Sequence, residues 1–115
     1  MTVRLGEEDY FCCNAISTSI KKDYQNFRKT WTCTCCSLPI VINAKTETGK
    51  VIRHYRLSAK DLIVGDFVYI QGAGFSEVLD VGKQSNGYFV AIKAYRRLNK
   101  LDDKRFFNTL YSARF

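Results

Sequence analysis

Residues 64–98 read VGDFVYIQGAGFSEVLDVGKQSNGYFVAIKAYRRL, and this stretch decides the fold class. Three β-prone runs, 67–71, 76–81 and 88–95, are punctuated by Gly72, Gly74, Gly82 and Gly87. Glycine tolerates the positive φ that tight turns need, and Asn86-Gly87 is the strongest hairpin signal in the chain. In the third run Tyr88, Val90, Ile92 and Ala94 share one face. Phe89, Ala91, Lys93 and Tyr95 share the other, which ends wet and aromatic. Short antiparallel strands joined by glycine turns are the pattern of a small binding barrel.

Working outward, 58–62 reads as a helical turn and 50–57 as a strand. That strand closes a hairpin with the apolar run Ile40, Val41 and Ile42 through a turn at 46–49. Residues 30–36 are β-prone. Upstream, Ile16, Ile20, Tyr24, Phe27 and Trp31 recur at helical spacing, which predicts a helix over 15–29 capped by Asn14 or Ser17. Downstream, Phe106, Phe107, Leu110 and Tyr111 form a second helical stripe, which predicts a helix over 103–111 with Asp102 as its cap. The expected fold is therefore α+β: a small antiparallel SH3-like β-barrel with an N-terminal and a C-terminal helix. With 115 residues, a single domain is expected, 1–57 supplying helix and hairpin and 58–115 the barrel strands and last helix.

Hydrophobic residues make up 46% of the chain and charged residues 25%, the balance of a folded globular protein. The first ten residues are mostly polar or acidic and no apolar run approaches a membrane span. A cytoplasmic or nuclear chain, without membrane association, is expected. The formal charge is +7, unevenly spread. Lys93, Arg96, Arg97, Lys100, Lys104, Arg105 and Arg114 face only Asp102 and Asp103 at the C-terminal end. Smaller basic groups are Lys21, Lys22, Arg28 and Lys29, and Lys50, Arg53, Arg56 and Lys60. Such asymmetry suits an anionic partner, either nucleic acid or an acidic protein face; simple solvation is the plainer reading. For nucleic acid, Lys93, Arg96, Arg97, Lys100, Lys104 and Arg105 would neutralise phosphates, while Tyr88 and Tyr95 would stack on bases.

The five cysteines are Cys12, Cys13, Cys33, Cys35 and Cys36. An odd number without a secretion signal argues against a disulfide framework. Cys33 and Cys36 stand at C-x2-C spacing, which aims two thiolates at one ion, as in a zinc knuckle. Cys12, Cys13 and His54 are the candidates to complete a zinc site. Cys33 and Cys36 also suit the role of small buried hydrophobes, and His54 that of a solvated or salt-linked side chain. No phosphate loop, HExxH or GxSxG motif is present and no carboxylate pair stands at a catalytic spacing, so a non-catalytic chain is expected.

Two partial resemblances accompany these readings. Val64, Gly65, Asp66, Phe67, Val68 and Tyr69, with the strands at 77–81 and 88–97, resemble the opening of a bromo-adjacent homology domain or another SH3-like chromatin-reader barrel. The resemblance implies a module that binds chromatin, protein tails or nucleic acid without chemistry. As a methyl-lysine reader it would offer Phe67, Tyr69, Tyr88, Phe89 and Tyr95 as cage residues. Residues 31–42 resemble half of a zinc ribbon. The function expected is a non-catalytic, nucleic-acid- or chromatin-associated binding module. The alternative is a small interaction or inhibitory factor, such as a virus-encoded one, that binds an acidic protein.

Overall fold

A computed structural model describes residues 7–12, 15–93, 97–112 and 114–115. The chain divides into two compact units, one built from Leu57–Leu110 and the other from Val3–Arg56 with Tyr111–Phe115.

In the second of these, β1 (Glu8–Cys12) pairs antiparallel with β2 (Ala15–Ser19) and with β3 (Val41–Lys45), and β3 pairs with β4 (Val51–Ser58). The β3–β4 hairpin forms where expected: Thr46 N–H donates to Lys50 O at 2.8 Å and Gly49 N–H to Thr46 O at 3.0 Å, with Gly49 at φ 84°. Tyr10 stands opposite Ile42, and Ile42 opposite His54. This row is buried, and Phe27, Cys33 and Ile40 join Tyr10 and Ile42 in one core cluster. Ile20, Tyr24 and Trp31 lean against it. On the alternate positions, Tyr55 packs on Tyr111 and Phe115 with ring centroids at 5.3 and 5.1 Å.

The other unit is a meander. β5 (Phe67–Ile70), β6 (Gly74–Gln84), β7 (Gly87–Ile92) and β8 (Leu98–Leu101) follow one another, and β9 (Phe106–Leu110) returns to pair with β5. Val68, Val78 and Val90 are fully buried at its centre. The turn before β5 explains the Val-Gly-Asp signature. Gly65 takes φ 97° and donates its N–H to Val78 O, while the buried Asp66 carboxylate accepts from Ile63 N–H at 3.0 Å. A 3-10 turn at Ala59–Asp61 precedes it.

The expected SH3-like barrel flanked by two helices is overturned. Among the described residues nine strands, mostly antiparallel-paired, make up the fold, and the only α-helix is α1 (Tyr24–Phe27), of four residues. Residues 15–19 are Ala-Ile-Ser-Thr-Ser; after Ala15 the β-branched and hydroxyl side chains form helix poorly and suit an extended edge beside β1. Only from Lys21 does the chain coil, first as a 3-10 turn and then as α1. The apolar stripe from Ile20 to Trp31 is real, but one helical turn presents it. Asn14, proposed as a cap, lies outside the described residues.

The C-terminal helix is likewise a strand. Phe-Phe-Asn-Thr-Leu has low helix propensity, and β5 offers a hydrogen-bonding edge. Alternation buries Phe107 and Thr109, and Val68 stands opposite Thr109. The β-prone stretch 30–36 also forms no strand. Trp31 and Ser37 adopt φ 55° and 61°, which bends the backbone out of any ladder, leaving only the isolated bridge Thr32–Pro39. Among the described residues no helix is long and apolar enough to cross a membrane.

Candidate metal centre

The bend at 31–40 is a knuckle. Ile40 N–H donates to Trp31 O, Cys33 N–H to Leu38 O at 2.7 Å, and Ser37 N–H to Cys33 O at 2.8 Å. These bonds fold Cys36 back beside Cys33. Cys35 N–H then points at Cys33 Sγ, 3.4 Å away. A backbone donor on sulfur stabilises the thiolate form that a metal ion takes.

The third sulfur comes from β1. Its alternation places Cys12 on the same side as Tyr10, facing the knuckle. Cys12 Sγ lies 3.4 Å from Cys33 Sγ and 3.5 Å from Cys36 Sγ, and all three sulfurs fall within 4.8 Å of one another. A tetrahedral zinc ion with Zn–S bonds of about 2.3 Å separates its sulfurs by about 3.8 Å. The two edges that meet at Cys12 match that separation to within a few tenths of an ångström. Cys33 is buried, while Cys12 and Cys36 are half-buried, so an ion reaches the site from one side. The three cysteines are therefore a cluster that could bind a metal.

Cys35 is exposed and is not part of the group. The two remaining proposed ligands are Cys13 and His54. Cys13 lies outside the described residues. His54 is absent from the group. Its place opposite Ile42 directs it toward Glu8 instead, with Nε2 3.8 Å from Glu8 Oε2. His54 is fully buried, and neither ring nitrogen has a hydrogen-bond partner among the described residues. Burial pushes its pKa down from 6.5 to about 4; the Glu8 carboxylate pulls the other way and Arg56 adds to the fall. A neutral buried imidazole replaces the solvated or ligating histidine considered from sequence.

Glu8 organises the rest of this face. It forms an ion pair with Arg56 and accepts a hydrogen bond from the Tyr10 hydroxyl at 3.0 Å. Burial first, and then this carboxylate, push the Tyr10 pKa up to about 12. The Arg56 guanidinium lies 4.2 Å from the centre of the Trp31 ring, and Trp31 packs on Tyr10, Tyr24 and Phe27. This chain from sheet to knuckle escaped sequence reasoning because Glu8 and Arg56 stand 48 positions apart.

The expected nucleic-acid residues occupy the meander unit. Lys93, Arg97, Lys100, Lys104 and Arg105 are all exposed, and among the described residues none forms an ion pair. Tyr95 and Arg96 lie outside the described residues, as does Ala94. Tyr88 is half-buried opposite Lys83 and Leu101, on the face that carries the buried Val90. Arg97 instead lies over Phe89, the next residue, which points the other way. Tyr88 and Arg97 are therefore not brought to one surface. Of the five expected cage residues, Tyr95 is outside the described set, and Tyr69 packs edge-on against Phe75. Phe67 is exposed, whereas Tyr88 and Phe89 diverge by alternation.

No family model, curated protein or solved structure matches the chain.

Proposed function

We propose that this chain is a non-catalytic binding module for nucleic acid, with the Cys12–Cys33–Cys36 cluster holding a structural zinc ion. The observation that carries the binding half is the set of five exposed cations without ion-pair partners among the described residues, Lys93, Arg97, Lys100, Lys104 and Arg105. Uncompensated surface cations recruit a polyanion through counterion release. The basic excess extends beyond them. The unit of Leu57–Leu110 has eight Lys and Arg against six Asp and Glu, and the other unit ten against five. Chromatin is one setting in which such a module meets its partner.

The metal half rests on ligand chemistry. Borderline-soft zinc favours thiolates, and sulfur-rich ligand sets are typical of structural zinc; the three cysteines supply three of the four positions. Within it Cys33 and Cys36 hold the knuckle turn and Cys12 ties that turn to β1. The ion replaces the larger apolar core that a unit of this size lacks.

Elemental analysis and a titration with a fluorescent oligonucleotide test both halves. One zinc per chain is expected. Five phosphate contacts give a log–log salt slope of roughly −3.5 on a single strand. Affinity that does not change between low and moderate salt refutes the binding half, and a folded, metal-free chain refutes the metal half. Equal competition by a polyglutamate peptide transfers the reading to an acidic protein partner.

A further inference from the structure

Phe89 and Arg97 form a layered stack on the meander sheet that no charge count reveals. Phe89 stands opposite Gly82, and a Cβ at Gly82 would come within 2.4 Å of the Phe89 ring. The missing side chain lets the ring approach the neighbouring strand closely. Arg97 then covers the ring, its guanidinium carbon 3.8 Å from the ring centre. Its Nε donates to Asn99 Oδ1 at 3.0 Å, which fixes the guanidinium plane. Asn99 is held in turn by Gln84, whose Nε2 donates to the same oxygen at 3.0 Å. The Gln84 Oε1 accepts from Lys100 N–H, also at 3.0 Å. The Phe89 ring thus lies close to the Gly82 backbone and under the Arg97 guanidinium, and Arg97 is exposed.

An arginine on the surface normally samples many rotamers and loses that freedom on binding. Here the loss is already made, for a side chain with no carboxylate partner among the described residues. A fixed cationic plane with an open face suits one ligand class above others. Unpaired nucleobases stack on guanidinium planes as they do on aromatic rings, and the adjacent phosphate meets the edge donors of the same group. Bases in a duplex are already stacked and cannot use the open face. Lys100, next to Asn99, supplies a second exposed positive charge for the strand's backbone.

We propose that the Phe89–Arg97 stack is the base-stacking platform of a single-stranded nucleic-acid site. The inference rests on the nucleic-acid reading above and narrows it to unpaired strands and one named residue pair.

The test uses the full chain, a fluorescein-labelled single-stranded oligonucleotide, a duplex of equal length and a polyglutamate peptide. Arg97→Lys keeps the charge and loses the plane. Gly82→Ala displaces the ring and leaves every charge in place. Lys60→Gln, an exposed cation elsewhere in the unit, is the control. Wild type binds the single strand more tightly than the duplex. Arg97→Lys weakens the single strand about tenfold with an unchanged salt slope, and Lys60→Gln weakens it less than twofold. Gly82→Ala repeats the Arg97→Lys effect where its urea midpoint shows it folded; Arg97→Lys, a surface change, decides the matter where it is not. Wild-type affinity in Arg97→Lys, with salt-sensitive binding preserved, overturns the platform while leaving the module reading intact. Tighter binding to the duplex or to polyglutamate overturns the platform also. No binding to any polyanion overturns both.

Discussion

Replacing His54 with leucine removes a group whose protonation opposes folding, and the size of the effect follows from its surroundings. His54 is fully buried beside Glu8 and Arg56. In the unfolded chain it takes a proton near pH 6.5, and in the folded protein only near pH 4. Between those values the unfolded state holds more protons, so stability rises with pH. Equivalently, stability is lost as pH falls from about 6.5 to about 4, and the loss levels off below that. A displacement of that size is worth about 3 kcal/mol, a large share of the roughly 5–15 kcal/mol that holds a typical domain together. The His54→Leu variant lacks this slope. It also removes two buried nitrogens that have no hydrogen-bond partner among the described residues. Each unmade bond costs about 1–3 kcal/mol, so at pH 7.5 the variant is at least as stable as wild type. Urea denaturation followed by fluorescence of Trp31, the only tryptophan, reads both proteins from pH 7.5 to 4. Carboxylates and cysteines away from His54 are common to the two, so their contributions cancel in the difference; Glu8, 3.8 Å from His54, is the carboxylate coupled to the substituted group. That difference widens by about 3 kcal/mol in favour of the variant on acidification. Parallel stability curves for the two proteins would refute the argument.

Other substitutions address the knuckle and the hairpin. Cys36→Ser abolishes the bound zinc and lowers Tm well beyond the roughly 4 °C that 1 kcal/mol moves a chain of this size, whereas Cys35→Ser keeps both metal and Tm. Elemental analysis and thermal melts read this pair, and equal metal content in the two variants would remove Cys36 from the site. Gly87→Ala destabilises by roughly 2 kcal/mol or more, because Gly87 has φ 143° and its Cβ would fall 2.6 Å from Leu101 O. Gly72→Ala, with φ 91° and open space around its Cβ, costs about 1 kcal/mol from backbone strain alone. Equal urea midpoints for the two alanines would show that the contact with Leu101 carries no weight.

The sequence made the β-rich middle of the chain legible because alternation and turn chemistry agreed there. The 46–49 turn, the 59–61 coil and the strands from Phe67 to Ile92 lie close to where their residues place them. Some details moved: Gly74 and Gly82 lie within β6 rather than punctuating it, Ser85 and Asn86 occupy the turn, and Gly87 opens the next strand. The termini misled because apolar spacing is ambiguous in short segments. Phe106, Phe107 and Leu110 suit a helix face, yet β5 supplies a ladder that an isolated pattern cannot announce. Residues 15–19 were drawn into a helix by the stripe that follows them, although their β-branched and hydroxyl side chains argued otherwise. Of the candidate site, Cys33 and Cys36 were legible from spacing. The choice of Cys12 and the exclusion of His54 depend on strand register, which fixes the direction of each side chain only once β1 and β4 have found β3. The Phe89–Arg97 stack had one faint signal, Gly82 in the interior of a strand, where a missing side chain marks close approach of another group.

The strand order β2–β1–β3–β4 sets a schedule for synthesis. β1 and β2 are adjacent in the chain and can meet at once, but β1 gains its second neighbour only when β3 has left the ribosome, about 30 residues later. At ordinary translation speeds that interval lasts on the order of seconds. Throughout it Cys12 is a thiol without the sulfurs it meets in the folded chain, because Cys33 and Cys36 emerge just before β3. Oxidants and mispairing partners have their best access to the nascent protein during this window. With the proposed zinc in that site, metal supply at the moment of synthesis, rather than the affinity of the finished site, would set the yield of correctly assembled protein.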